Sequence, residues 1–133
     1  MSKLSANEIQ RHAQRIRARH AALRQHIRNV LLESKHDEFA QLAGQVHDRG
    51  EESVADLFVS TNLALLDREI HELRDVEDAL QRIRVGSFGA CDDCGEEIER
   101  ERLDAYPSAK HCIDCEREHE TRRAAGRDQT PSL

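Results

Sequence analysis

The four cysteines constrain this chain more than any other feature of its sequence. They form two C-x-x-C pairs with seventeen residues between Cys94 and Cys112. This spacing lies within the pattern of structural zinc sites, in which two such pairs are separated by about 15–20 residues. Two pairs of thiolates complete a tetrahedral shell and leave no coordination position open for water or substrate. The spacing therefore predicts one structural Zn²⁺, bound by Cys91, Cys94, Cys112 and Cys115.

Two other uses of the cysteines compete with zinc. Disulfides are disfavoured because cysteines so close in sequence make poor partners, and nothing in the sequence suggests secretion. A redox C-x-x-C normally opens a helix in a βαβ unit, and no such unit is visible around either pair. His111 is next to Cys112 and is a candidate substitute ligand. With four thiolates available, we interpret it as a bystander.

The composition favours long helices over a deep core. Of the 133 residues, 35% are charged and 3% are aromatic. The chain therefore has too few large apolar side chains for a thick globular interior. Helices packed along a narrow seam, together with a small module stabilised by a metal ion, fit this composition better.

The charge is distributed unevenly along the chain. Residues 1–35 carry eight Lys and Arg against two Asp and Glu, whereas residues 36–105 carry seven against nineteen. Residues 106–133 carry five of each. An acidic middle repels the phosphates of nucleic acids, which disfavours a finger that reads DNA.

The sequence also indicates where the protein acts. It contains no apolar run with the length of a signal peptide or of a membrane span. Cysteines in metal spacing, with no thiol left over, suit a reducing compartment. We therefore expect a soluble cytoplasmic protein that does not bind membranes.

The first helix is predicted from a complete start signal. Ser5 is the expected N-cap and Glu8 its capping-box partner. A coiled-coil seam follows, in which His20 is interpreted as a half-buried edge residue. The seam residues are Ile9, Ala13, Ile16, His20, Leu23, Ile27 and Val30. The apolar residues then continue to Val46 in a shifted register of the helical repeat. The shift indicates a stutter or a loose region near Ser34–Asp37.

The second helix is predicted over residues 54–84. The polar segment before it contains Gly50 and indicates a turn, and Ser53 is the expected N-cap. Gly86 is the expected stop. The seam residues of this helix are Val59, Leu63, Leu66, Ile70, Leu73, Val76, Leu80 and Ile83. Such a helix would be roughly 46 Å long.

These patterns predict a mainly α fold with two parts and a tail. Residues 1–85 form a long antiparallel coiled-coil hairpin with its tip near residues 48–53, because helices joined by a short turn fold back on each other. Residues 86–125 form a four-cysteine zinc-finger module that ends in a short helix, and residues 126–133 form a disordered tail. The alternative is that the helices dimerise into a bundle. The short turn and the matching seams favour the intramolecular hairpin, and hence a monomer.

The residues around the cysteines form a dense motif. Besides the cysteines it contains Phe88, Gly89, Gly95, Ile98, Arg102, Leu103, Ala105, Pro107 and Ala109. This motif, over residues 88–115, closely resembles the zinc finger of the DksA/TraR family. The resemblance implies a bacterial transcription regulator that binds RNA polymerase directly rather than DNA. It also implies that the coiled-coil arm enters the secondary channel of the polymerase while the finger holds the base of the arm.

The resemblance further implies a role for the turn of the hairpin. Acidic residues at the family's tip, in the pattern D-x-x-D-x-A, approach the polymerase active site. Counted from Cys91, the matching positions are Asp48, Glu51 and Ser53, so the second acid is longer by one methylene and the alanine is replaced. Their role as a partner-binding tip is the expectation. The alternative is a solvated turn, in which Asp and Gly are common.

Some relatives in that family respond to the alarmone guanosine tetraphosphate through basic residues on the arm and finger. The corresponding positions here hold Arg68, Asp75, Tyr106 and Glu116. Only Arg68 is basic and remains a candidate contact to alarmone or polymerase. Acidic side chains repel a polyphosphate, so we expect weak or absent alarmone synergy.

Three classes of function are therefore compared. A regulator of the polymerase channel is the leading hypothesis. A zinc-stapled coiled-coil interaction protein with a different protein partner is the alternative. A DNA-binding finger is the weakest, because residues 86–105 contain two arginines against seven acids. No enzymatic activity is expected, since the metal shell is closed and no pairing of nucleophile and base is apparent.

Overall fold

The computed structural model describes residues 4–59 and 63–128, with side chains described up to Ala125. The helices are α1 Ala6–Glu33, α2 Asp37–Arg49, α3 Asp67–Val85, α4 Arg100–Ala105 and α5 Ile113–Asp128, with short 3₁₀ helices at Ala55–Phe58 and Ala64–Leu66. Within the described ranges, the only β pairing is a single antiparallel bridge between Ala90 and Glu97. The predicted mainly α fold is confirmed. Of the predicted disordered tail, residues 126–128 continue α5, and residues 129–133 lie outside the described residues.

The start of α1 is confirmed in detail. Ser5 Oγ accepts a hydrogen bond from the Glu8 amide at 3.1 Å, and Glu8 Oε1 accepts one from the Ser5 amide at 3.4 Å. This reciprocal pairing satisfies two of the amides that a helix leaves unpaired at its start. The buried face of the helix consists of His12, Ala13, Ile16, His20, Leu23, Ile27 and Leu31. Five of these lie on the predicted seam, whereas His12 and Leu31 had not been predicted.

The predicted shift of register corresponds to a complete reversal of the chain. The first helix ends at Glu33. Lys35 then adopts a φ of 60°, in the left-handed backbone region that residues other than glycine rarely occupy. Helix α2 then runs back along α1, so that Val46 near its end lies beside Ala21 in the middle of α1. Ala43 and Val46 are buried by this packing.

The predicted continuous helix over residues 54–84 is wrong for the described residues before Asp67, and residues 60–62 of that prediction lie outside the described residues. Helix α3 begins only at Asp67, and the described residues before it include the two 3₁₀ helices. Val59, which was placed on the buried seam, is 72% exposed. Ser53 is not a helix N-cap, because its hydroxyl donates to a carboxylate of α3, Glu77 Oε1, at 3.0 Å. The spacing of the apolar residues matched an α-helix. Val54, Ala55 and Phe58 are indeed buried, but the backbone that carries them is not α-helical.

The antiparallel hairpin is made by α1 and α3. Between them lie α2 and an irregular segment, described over residues 50–59 and 63–66. The pairing runs from His26 with Glu69 to His20 with Glu77. The predicted turn at residues 48–53 is therefore not the end of the arm. Glu51 lies beside α1 and the last turns of α3, and the end of the bundle is formed by the turn at residues 34–36 together with residues 63–66.

The end of α3 follows the prediction. Gly86 adopts a φ of 83°, and the Ser87 amide donates to the Arg82 carbonyl at 2.9 Å, as expected of a glycine that terminates a helix in the left-handed region. This turn directs the chain into the cysteine-rich module. In the described parts of the chain, no helix is both long and apolar enough to cross a membrane.

Candidate metal centre

The first cysteine pair lies on a tight loop closed by backbone hydrogen bonds. The Cys91 amide donates to the Glu96 carbonyl at 2.7 Å, and the Gly95 amide donates to the Cys91 carbonyl at 3.0 Å. Gly95 has a φ of 75°, which a side chain would disfavour. The second pair lies at the start of α5, where the Glu116 amide donates to the Cys112 carbonyl at 2.9 Å. Each pair is thus set on a turn that presents both sulfurs to the same side.

The four sulfur atoms fit one tetrahedral metal ion. All of them lie within 4.8 Å of one another, and Cys94 Sγ lies 3.8 Å from Cys112 Sγ. A Zn–S bond of about 2.3 Å in tetrahedral geometry separates the sulfurs by about 3.8 Å. None of the four forms a disulfide. The predicted ligand set of Cys91, Cys94, Cys112 and Cys115 therefore converges on one point.

The electrostatics of the site also suit a metal. Burial raises the pKa of the Cys91 thiol, but backbone hydrogen bonds from Cys94, Cys112 and Asp93 outweigh burial and lower it to about 6. Hydrogen bonds among the sulfurs, that with Cys112 first, raise the pKa of Cys115. Four neighbouring thiolates repel one another, and a divalent cation is what allows them to share one site.

A small apolar core surrounds the metal ligands. Phe88, Ile98, Leu103 and Ala109 are all buried. Helix α4 supplies Leu103, and the Phe88 ring lies 5.8 Å from the ring of His12 on α1. The finger and the base of the arm therefore share apolar contacts.

Polar contacts fix the finger to the arm as well. The buried Arg82 on α3 donates to the Ala109 carbonyl at 3.1 Å. Lys110 Nζ lies 2.9 Å from an Asp75 carboxylate oxygen. Arg15 on α1 donates to the Asp104 carbonyl at 2.8 Å. Because these contacts reach both α1 and α3, the finger holds the two helices at the base of the arm.

The structure does not bring the remaining predicted site residues together. Asp48, Glu51 and Ser53 are exposed along the side of the bundle. Arg68 is exposed on the first turn of α3, whereas Tyr106 belongs to the finger. Asp75, one of the positions compared with the alarmone site, is engaged by Lys110. Glu116, another, contacts His111 Nδ1 at 3.2 Å.

Sequence reasoning missed the carboxylate of Glu77, which lies between α1, α3 and the irregular segment. Its two oxygens contact His20 Nε2 at 2.9 Å, the Val54 amide at 2.8 Å, the Ser53 hydroxyl at 3.0 Å and the Ala55 amide at 3.3 Å. His20 is buried, not a half-buried edge residue. The available signal was a polar residue on an apolar seam, because a buried imidazole requires a partner.

Comparisons with known proteins agree with the cysteine site. Residues 86–120 match the family of the prokaryotic dksA/traR C4-type zinc finger. The chain is 45% identical over 56 residues to the "RNA polymerase-binding transcription factor DksA" of Haemophilus influenzae, covering 42% of this chain and 39% of that protein. For the protein of the same name from Escherichia coli (strain K12), identity is 41% over 56 residues, covering 42% and 37%. An uncharacterized protein of Aquifex aeolicus is 44% identical over 52 residues, covering 39% and 36%.

The chain spans less than two fifths of the length of the curated relatives it matches. The resemblance inferred from the motif is confirmed for residues 86–120. Together with the sulfur geometry, the family match confirms one structural Zn²⁺ held by a four-cysteine finger.

Proposed function

Because this chain carries a zinc finger of the dksA/traR C4 type, we propose that it is a non-enzymatic bacterial transcription regulator that binds RNA polymerase. The observation that carries the proposal is the similarity of the finger to proteins named RNA polymerase-binding transcription factor DksA. A four-thiolate shell leaves zinc no open position for a substrate, which agrees with a structural role. The protein acts in the cytoplasm as a monomer.

The charge of the chain supports a protein partner over DNA. Acidic residues dominate residues 36–105, which carry nineteen Asp and Glu against seven Lys and Arg, and such a surface is repelled by the phosphate backbone. The polymerase contacts are therefore made without sequence-specific binding to DNA. An acidic surface is attracted to basic residues and bound magnesium ions, which occur where nucleotides are polymerised.

We place the helical arm in the secondary channel of the polymerase, with the finger at its base. Helix α1 alone is about 42 Å long from its 28 residues, which is sufficient to reach into a deep channel. The contacts of the finger with both α1 and α3 keep the arm stiff at its base. Asp48 and Glu51 then contact the polymerase from the side of the arm, and Arg68 contacts it near the far end.

The first experiment is binding of the purified chain to purified RNA polymerase, followed by transcription in vitro. We expect a complex with one chain per polymerase and a change in the output of sensitive promoters. If the wild-type chain does not bind polymerase at all, the proposal is wrong, and a coiled-coil interaction protein with another partner becomes the better explanation.

Neutralising the exposed acids is expected to separate binding from regulation. In the double variant Asp48→Asn with Glu51→Gln, promoter effects should disappear while polymerase affinity falls about 30-fold at most, because exposed charge pairs contribute about 0–1 kcal/mol each and the variant removes two charges. The measurements are polymerase affinity and transcription in vitro. The matched control, Asp37→Asn with Glu38→Gln, neutralises two exposed acids at the other end of α2. If only the control pair abolishes regulation, the role assigned to Asp48 and Glu51 is wrong.

The alarmone is expected to add little to the activity of this protein. Two of the compared positions, Asp75 and Glu116, carry acids that repel a polyphosphate, and both already have partners. Effects on a sensitive promoter should therefore be equal with and without guanosine tetraphosphate. A strong synergy that the Arg68→Ala variant loses would contradict this expectation and would assign Arg68 to an alarmone site.

A further inference from the structure

A second group of metal-ligating side chains lies beside the cysteine site and takes no part in it. The ligand atoms of Asp93, His111 and His119 all lie within 4.8 Å of one another. Asp93 lies between the cysteines of the first pair, His111 precedes the second pair, and His119 lies one turn beyond Cys115 on α5. Three separate segments of the finger thus contribute to a single cluster.

The geometry of the cluster directs both imidazoles at the same carboxylate. His111 Nε2 lies 3.7 Å from Asp93 Oδ1, which is longer than a hydrogen bond, and His119 Nε2 contacts Asp93 Oδ2. The two rings are 4.4 Å apart between centroids and tilted by 32°. A cation between these atoms would be bound by both nitrogens and the carboxylate at once.

A second carboxylate orients one of the imidazoles. Glu116 Oε2 lies 3.2 Å from His111 Nδ1, so the proton on that nitrogen is donated to Glu116 and the lone pair lies on Nε2, the atom that faces Asp93. Arg123 Nη2 lies 3.3 Å from the other oxygen of Glu116 and helps to hold the carboxylate. A histidine ligand whose second nitrogen donates to a carboxylate is the usual arrangement at metal sites.

We propose that Asp93, His111 and His119 form a second site, which binds a divalent transition metal through two imidazoles and one carboxylate. This ligand set suits Zn²⁺, Co²⁺, Ni²⁺ and Cu²⁺ rather than Mg²⁺ or Ca²⁺. The three side chains are 41%, 20% and 33% exposed, so water completes the coordination and the metal exchanges with solution. The ion joins α5 to the first cysteine loop. The proposal is independent of polymerase binding.

The test counts Zn²⁺ ions bound to untagged protein. With the cysteine site loaded, wild-type protein titrated with Zn²⁺ should bind a second equivalent, whereas His119→Ala should bind only the first. The control is His71→Ala, which removes another histidine paired with an aspartate, Asp67, on α3 and outside the proposed cluster. It should bind two equivalents. Loading with Co²⁺ shows whether the cysteine site is intact in each variant, because thiolate-to-cobalt absorption reports that site alone.

Glu116→Ala tests the positioning of His111 by Glu116. Loss of such a partner lowers metal affinity about 10–100-fold, so the second equivalent should bind that much more weakly while the cysteine site is unchanged. One equivalent of Zn²⁺ in wild-type protein at every concentration would overturn the proposal. So would a second equivalent that His119→Ala retains, or one that His71→Ala loses equally.

Discussion

Removing Zn²⁺ from the four-cysteine site should unfold residues 86–125 while α1, α2 and α3 remain helical. The finger has only a few buried apolar side chains, whereas a structural Zn²⁺ contributes about 10–16 kcal/mol of binding free energy. That is as large as the stability of a whole domain, about 5–15 kcal/mol. The arm has its own core, in which Ile27, Leu73 and Ala79 are fully buried, and therefore does not depend on the metal.

Hydrogen exchange measured with and without a chelator distinguishes the two parts. The amides of α4 and α5 should lose protection, and those of the middle of α1 should keep it. Cys112→Ser should behave as the chelated protein does, and added Zn²⁺ should restore only the wild type. The proposed promoter activity should be lost together with the finger, because the contacts of Arg82 and Arg15 fix the base of the arm. A chelated protein with full finger protection or full promoter activity would contradict this account.

The metal site was predictable because its ligands are specified locally. Each cysteine pair is four residues long, and Gly95 marks the turn that the first pair requires. No packing partner had to be known to infer a tetrahedral shell. The capping box of Ser5 and the stop at Gly86 were predictable for the same reason, since each involves backbone groups within a few residues.

The path between α1 and α3 was not predictable from apolar spacing. Periodicity identifies a face but not the element that covers it. The apolar pattern predicted a break near Ser34–Asp37, but the reversal at Lys35 contains neither glycine nor proline, so nothing there indicated that α2 turns back on α1. Because α2 packs on α1, the chain that follows α2 buries Val54, Ala55 and Phe58 without forming an α-helix, and Val59 is left in solvent.

The irregular backbone at residues 54–59 also explains why Glu77 is needed. The amides of Val54 and Ala55 lie in a partly buried segment, and both donate to the Glu77 carboxylate. Buried backbone donors without a partner cost free energy, so a carboxylate with several acceptor positions stabilises this irregular path. Sequence reasoning could not anticipate this role, because it assigned those amides to a helix.

Replacing Glu77 by alanine is expected to lower the free energy of unfolding by about 3–5 kcal/mol, because it leaves His20 and two backbone amides buried without their acceptor. The Glu77 side chain is 13% exposed, so water replaces it poorly. Denaturant unfolding measures the effect. The matched control is Asp78→Ala, which removes the adjacent acid, 58% exposed and paired with Lys110, at a cost of about 0–1 kcal/mol.

The pH dependence of unfolding gives an independent check. Burial raises the pKa of Glu77, but hydrogen bonds from His20, Val54, Ser53 and Ala55 outweigh it and hold the pKa below its ordinary value of 4.5. A carboxyl whose pKa is lower in the folded state stabilises that state above pH 4.5, and this contribution is lost as the pH falls through the lower value. The stability difference between wild type and Glu77→Ala should therefore shrink in acid. A constant difference, or one equal to that of Asp78→Ala at pH 7, would show that the carboxylate does not hold the irregular segment in place.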